Sequence, residues 1–331
     1  MTLPKTPDSA ERGKMPRRWF RTLLSALILV SFLAWTAWYV IGHRDEFAAI
    51  TRIPLLTLVT LYILFALMIA ANGLFLREVV KAFDIDLKGV EWLAIVIASS
   101  FANYFLPARG GAGLRALYLL RLYGFPLTDF VATLGAMYLI HVVVNGLLAL
   151  AGMIVIYLEG GHFDFVLGVF FAIAIACGCG AMGLRYQPRT PPERFPMRQI
   201  ARTLAGWQRL CQNRWLMAKL LGLTLFVALA TVCQSKAAFA GCSQPLSWAG
   251  ACVYAGSKNL ALLVSLTPGS LGIVEAMSIY LGRVLDYSTA QALLVQGLIR
   301  GVAISSLLCA GPWAFLTLNS RRRERPQMRT P

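Results

Sequence analysis

Charged residues are scarce in this 331-residue chain, and acidic residues are the scarcer kind. Asp, Glu, Lys and Arg together make up 14% of the sequence, against about 25% in an ordinary soluble domain. Hydrophobic residues make up 58%, which excludes a disordered chain. The formal net charge of +16 would suit a nucleic-acid binder, but the mean hydropathy of +0.65 would not. The composition therefore indicates an integral membrane protein with no nucleic-acid partner.

The sequence also lacks the motifs of familiar catalytic and metal sites. It contains no G-x-x-x-x-G-K-[ST], G-x-S-x-G or H-E-x-x-H, and no hydrophilic segment long enough for a soluble catalytic domain. Most of the seven cysteines lie in apolar runs, and Cys177 and Cys179 are too close together for the usual zinc spacing. We therefore expect a protein that is not an enzyme and that needs no metal or cofactor.

Long apolar runs predict an all-α polytopic membrane fold. Six runs are long enough to cross about 30 Å of hydrocarbon; they cover residues 20–41, 54–76, 130–157, 163–183, 215–240 and 289–318. Two further apolar stretches, 90–123 and 247–284, are interrupted by Pro and Gly. Because Pro removes helix hydrogen bonds and Gly permits unusual dihedral angles, each stretch predicts two short helices joined by a turn.

The basic residues predict the orientation of the chain in the membrane. They concentrate in both tails, 1–19 and 319–331, and in the loop 184–214, all of which should be cytoplasmic. The number of spans then requires the interrupted stretch of the half 20–183 to begin and end inside. The interrupted stretch of the half 215–318 must begin and end on the outer side of the membrane. We therefore predict two re-entrant hairpins in an inverted-topology repeat, a transporter signature; two kinked ordinary spans are the alternative.

The basic loop contains a few apolar residues among its arginines. Leu204, Trp207 and Leu210 would suit an amphipathic helix lying on anionic lipid. A solvated, charged linker is the alternative interpretation of the same residues.

The first interruption is the most informative part of the chain. A helix that begins near its Gly-rich turn would direct its N-terminal amides at the turn, where an anion is favoured. Arginines nearby add fixed positive charge and can bind a phosphate through two hydrogen bonds. We predict that six residues bind an anionic headgroup here: Asn103, Arg109, Gly110, Gly111, Arg115 and Arg121. The alternative is that the arginines only extend toward the membrane surface.

The second interruption carries an acid where the first carries bases. Glu275 follows its turn, and an ionisable residue at membrane depth usually has a partner or a function. Arg300 on the last span is the natural partner, with Lys258 and Arg283 as alternatives. We predict that Glu275, Arg300 and His141 form an ion pair or gate; a purely structural pair that locks the hairpin is the other interpretation.

The two interruptions carry motifs that resemble a known family. The first has the pattern N-x-x-x-P-x-x-x-G-x-x-x-R and comprises Asn103, Pro107, Gly111 and Arg115. The second is T-P-G-S-L-G-I-V-E-A followed by Arg300, and it comprises Pro268, Gly269, Gly272 and Glu275. Over roughly residues 15–320 the chain resembles the lysylphosphatidylglycerol synthase transmembrane-region family. The resemblance implies re-entrant helices and, as in the multiple peptide resistance proteins, movement of aminoacylated phosphatidylglycerol between leaflets.

Two features depart from that family. The chain ends at Pro331, so we expect the aminoacyl-transferase domain to be absent and do not carry over synthase activity. Many members have an acidic residue and an arginine where this chain has Met137 to His141. The substrate is therefore open between an anionic phospholipid and a polyprenyl-phosphate lipid.

Together these patterns predict a flippase-like lipid transporter of the bacterial cytoplasmic (inner) membrane. Both of its termini would be cytoplasmic, and self-association into a homo-oligomer is left open. The alternative is a membrane partner or scaffold that transports nothing and recruits a lipid- or glycan-modifying enzyme. A membrane-embedded transferase is disfavoured because no paired acid and base are apparent.

Overall fold

The regular secondary structure of this protein is helical wherever the structure describes it. The computed structural model describes residues 53–105, 110–183, 205–263 and 267–324, and these ranges contain no strand. The helices are α1 (Leu55–Lys81), α2 (Glu91–Phe105), α3 (Gly110–Tyr123), α4 (Leu127–Leu158), α5 (Phe165–Gly183), α6 (Arg214–Gly241), α7 (Trp248–Leu263), α8 (Ile273–Val284) and α9 (Thr289–Glu324). A short helical segment at 205–212 and a 3₁₀ turn at Pro268–Ser270 complete the described part of the chain.

Five of these helices are long and apolar enough to cross a membrane. They are α1, α4, α5, α6 and α9, and each coincides with a run predicted from the sequence. Large apolar side chains remain exposed on them, as lipid-facing surfaces require. The all-helical, multi-pass membrane architecture is thus confirmed, whereas the predicted span at 20–41 lies outside the described residues.

The first interrupted stretch forms an antiparallel pair of helices, α2 and α3, which we call the first hairpin. Near the turn, Arg115 Nη2 donates a hydrogen bond to Ser99 Oγ at 2.9 Å. At the opposite, open end, the buried Glu91 carboxylate accepts hydrogen bonds from the hydroxyls of Tyr118 and Tyr123, both at 2.7 Å. The sequence separation of contacting residues therefore increases from the turn to the open end, as an antiparallel pair of helices requires.

The second interrupted stretch forms a similar pair, α7 and α8, which we call the second hairpin. The Tyr254 hydroxyl on α7 donates to Ser278 Oγ on α8 at 3.1 Å. The turn contains Gly269 with φ +58° and Gly272 with φ +86°. Glycine adopts these left-handed conformations without the steric cost that a Cβ atom imposes. The glycines therefore allow the chain to reverse between the two helices.

Helix α9 runs past both hairpins and shows that they open toward opposite ends of it. Four close approaches occur in order along α9: Gly282 against Ala292, Gly269 against Arg300, Phe101 against Gly311, and Gly89 against Arg321. The first is at the open end of the second hairpin, and the last is at the open end of the first. An ideal helix rises about 44 Å between residues 292 and 321. The turn of the second hairpin lies between these two ends.

The end of the basic loop packs into the protein rather than presenting its apolar side chains to lipid. Trp207 and Leu210, within the helical segment 205–212, are buried. They belong to an apolar cluster that includes Phe75 on α1 and Ile140 on α4. The interpretation of this part as an interfacial helix is therefore wrong for these two side chains, which fill a gap between spans. Leu204 lies outside the described residues.

Candidate functional site

The two helices of the first hairpin approach each other most closely at Gly111. A Cβ atom at this position would lie 1.8 Å from the carbonyl oxygen of Ser99. The Gly111 amide donates to Asn103 Oδ1 at 2.9 Å. One amide of the predicted anion site is therefore already used within the hairpin, and Asn103 holds the start of α3 next to α2.

This close approach predicts that Gly111→Ala will destabilise the hairpin. The added methyl must push α3 away from a backbone carbonyl, so we expect the free energy of unfolding in detergent to fall by about 1–3 kcal/mol. Gly113→Ala is the matched control because nothing lies within 4 Å of a Cβ at that position. It should change stability by less than about 1 kcal/mol, toward greater stability. Equal effects of the two substitutions would contradict the close packing.

Arg115 lies beside this contact and faces a cavity of about 330 Å³, which we call the Arg115 cavity. Its Nη2 donates to Ser99 Oγ, but its buried Nε has no hydrogen-bond partner in the described part of the chain. Asn72, Asn103 and Tyr138 also line the cavity, and no carboxylate does so among the described residues. The Arg115 charge is therefore uncompensated there, and the cavity is suited to an anion.

A second cavity, of about 210 Å³, lies among α1, α6, α7, α8, α9 and the end of α2, and we call it the Lys258 cavity. Its polar lining comprises Asn72, Tyr104, Thr231, Gln234, Lys258, Asn259, Gln296 and Arg300. Asn259 Nδ2 donates to Asn145 Oδ1 at 2.8 Å, which ties α7 to α4. The cavity therefore brings polar side chains from several helices together within largely apolar walls.

Glu275 and Arg300 form an ion pair at the Lys258 cavity. Arg300 Nη2 lies 2.6 Å from Glu275 Oε1, and the two side chains are only 14% and 12% exposed. The other carboxylate oxygen, Oε2, accepts the Gly272 amide at 2.8 Å. Glu275 therefore compensates both the Arg300 charge and the positive N-terminal end of α8. A gating role for the pair stays a prediction.

The two cavities meet where the hairpins touch. They share four lining residues, Asn72, Tyr104, Leu262 and Gly269. Tyr104 is in the last turn of α2, and a Cβ on Gly269 would lie 3.1 Å from its ring. This contact between the two hairpins thus lies at the boundary of the two cavities.

The structure does not bring all the predicted site residues together. Gly110 begins α3 and is partly buried, whereas Arg121 is exposed in the last turn of that helix, away from the turn of the hairpin. His141 Nδ1 lies 2.8 Å from the Met137 carbonyl, and its ring packs edge-on against Phe75. It lines neither cavity. Arg109 lies outside the described residues.

Sequence reasoning missed several side chains that line the cavities. Lys258 entered only as an alternative partner for Glu275, and Gln234, Gln296 and Tyr104 were given no role. A signal was present, because a polar side chain within an apolar span is costly unless it is partnered or functional. What was missing was the direction in which each side chain points.

The chain also matches a known family. A family model described as Lysylphosphatidylglycerol synthase TM region matches residues 22–311. No curated protein and no solved structure shows a significant match to the chain. The family match spans most of the chain and includes both hairpins and both motifs that suggested it. The protein therefore belongs to the Lysylphosphatidylglycerol synthase TM region family.

Proposed function

We propose that this protein is a flippase-like transporter that binds an anionic lipid headgroup and moves the lipid between leaflets. One observation carries the proposal: Arg115, which no carboxylate of the described lining compensates, faces a cavity that meets the Lys258 cavity where the two hairpins touch. The phosphate of a phospholipid or of a polyprenyl-phosphate lipid would supply the matching negative charge. The membrane-domain family supports a lipid-related role.

The proposed architecture has six full spans: the five that are described and a sixth at the run 20–41. The hairpins are re-entrant and enter from opposite faces as an inverted repeat, which the order of contacts along α9 supports. We propose that the protein lies in the inner membrane of a bacterial cell, with both termini in the cytoplasm.

Single cysteines near residues 123 and 285 should be labelled from the inside and the outside respectively; the reverse pattern would overturn this orientation.

In the proposed mechanism the headgroup passes between the two cavities while the acyl or prenyl chains stay in lipid. The Tyr104–Gly269 contact separates the cavities in the present conformation, and rocking of one hairpin against the other would open it. The sequence has no ATP-binding loop, so transport would be downhill or coupled to a gradient. The proposed role is transport, and no catalytic step is part of it.

A reconstitution experiment tests this function. Purified protein is placed in vesicles that contain trace labelled phosphatidylglycerol, polyprenyl phosphate or zwitterionic phosphatidylcholine. We expect faster leaflet exchange of an anionic lipid than in protein-free vesicles, with little effect on phosphatidylcholine. Unchanged exchange of every lipid would reject transport and favour a membrane partner or scaffold that only binds.

A further inference from the structure

We propose that the Lys258 cavity is itself a headgroup site, in which Lys258 and Gln234 bind a singly charged phosphate and Gln296 accepts a hydrogen bond from a hydroxyl or amine next to it. This inference rests on the proposed lipid transport and adds to it a second site, separate from Arg115. It also adds a preference among anionic headgroups.

Lys258 is a buried cation that has no counter-ion among the residues described. Its side chain is on α7 and the residue is 5% exposed. Its ammonium lies 5.9 Å from the centre of the Tyr254 ring, which offers only a weak cation–π attraction. None of the ion pairs among the described residues includes Lys258. A buried ammonium group is normally paired, so an anion in the cavity would complete this site.

Two glutamine amides in the same cavity each have one atom without a hydrogen-bond partner among the described residues. Gln234 on α6 is 2% exposed, and its Nε2 donor has no hydrogen bond. Gln296 on α9 is 5% exposed, and its Oε1 acceptor has none. Both residues line the Lys258 cavity. A buried polar group without a partner is costly, so two in one cavity indicate a ligand that offers both an acceptor and a donor.

The charges around the cavity limit what that ligand can be. Arg300 is compensated by Glu275, so Lys258 contributes the remaining positive charge. One positive charge balances the single negative charge of a phosphodiester and falls short of a phosphomonoester dianion. Because Gln296 offers an acceptor, a phosphodiester whose headgroup carries a hydroxyl or an amine would pair with the Lys258 ammonium and with both glutamine amides. A phosphodiester linked to such a headgroup is therefore the preferred class of ligand.

The test measures binding in detergent with three probes: a short-chain phosphatidylglycerol, a short-chain phosphatidic acid and inorganic phosphate. Wild-type protein should bind the diester lipid most tightly. Lys258→Met should weaken that binding by roughly tenfold or more, because a charged hydrogen bond is lost. Lys258→Arg should retain most of it. Lys219→Met is the matched control, because Lys219 is exposed and paired with Glu78.

A second variant separates recognition from folding. Gln296→Leu should weaken binding of the diester with hydroxyls and leave phosphatidic acid binding nearly unchanged, an effect that general unfolding cannot produce. If inorganic phosphate binds as tightly as the lipid, the cavity is a site for free anions rather than for a lipid, and the inference is overturned. Equal binding of the diester by wild type and Lys258→Met would also overturn it.

The outcomes for binding and for transport are distinguishable. If wild-type vesicles show no leaflet exchange but Lys258-dependent binding persists, transport is rejected and the headgroup site stands. If exchange is fast and Lys258→Met changes neither exchange nor binding, the headgroup site is rejected and transport stands.

Discussion

Replacing Arg115 with alanine should slow exchange of anionic lipid between leaflets by roughly tenfold or more, the effect of losing a hydrogen bond to a charged group. Arg115 brings the only basic side chain among the described residues that line its cavity, and no carboxylate there compensates it. Its buried Nε is free to bind a phosphate oxygen. The measurement is the initial rate of exchange in vesicles at matched protein content.

Two variants test whether the loss comes from the charge inside the cavity. Arg115→Lys keeps the positive charge but loses the planar arrangement of donors, so we expect an intermediate rate. Arg283→Ala removes an exposed arginine of the second hairpin and should leave the rate unchanged. A fall with Arg283→Ala as large as that with Arg115→Ala would point to bulk surface charge instead.

Replacing Glu275 with alanine should have the largest effect on stability. The change leaves Arg300 buried without a counter-ion and the Gly272 amide without its acceptor. Removing one partner of a buried ion pair typically costs about 3–5 kcal/mol. We expect a loss of that size in the free energy of unfolding, measured by denaturant titration in mild detergent.

Further variants separate the two roles of this carboxylate. Glu275→Gln keeps an acceptor for the Gly272 amide, so it should destabilise less than Glu275→Ala. Adding Arg300→Met to Glu275→Gln removes the unpaired cation and should recover part of the stability. Glu78→Ala breaks the more exposed pair with Lys219 and should cost no more than about 1 kcal/mol. A similar loss for Glu78→Ala and Glu275→Ala would contradict the buried character of the Glu275–Arg300 pair.

The spans could be predicted from the sequence because lipid imposes a length and an apolar composition on every crossing helix. The five spans that are described begin and end within a few residues of the predicted runs. The helix pairs were also predictable, since Pro and Gly mark the turns. Even the pairing of Glu275 with Arg300 was the natural choice, because few charged residues lie at membrane depth.

The details of the site depend on packing that one sequence does not reveal. Gly111 and Gly272 each follow a proline of their turn by four positions, yet Gly111 is required by close approach of a carbonyl and Gly272 has a left-handed φ. Lys258, Gln234 and Gln296 come from three different helices. Whether they meet depends on the rotation of each helix about its axis, which apolar composition alone does not fix. His141 lies outside both cavities with its ring packed against Phe75, and its part in a gate stays a prediction.

The central claim is that a lipid headgroup passes between two cavities across the contact of the two hairpins. The most direct test is a reversible lock at this contact. Tyr104→Cys and Gly269→Cys are introduced after the seven native cysteines are replaced. A Cβ on Gly269 would lie 3.6 Å from Tyr104 Cα, close enough for a disulfide, and its left-handed φ of +58° adds strain that the reduced variant must tolerate. We predict that oxidation stops leaflet exchange of anionic lipid and that reduction restores it; equally rapid exchange in the oxidised and reduced protein would contradict the account.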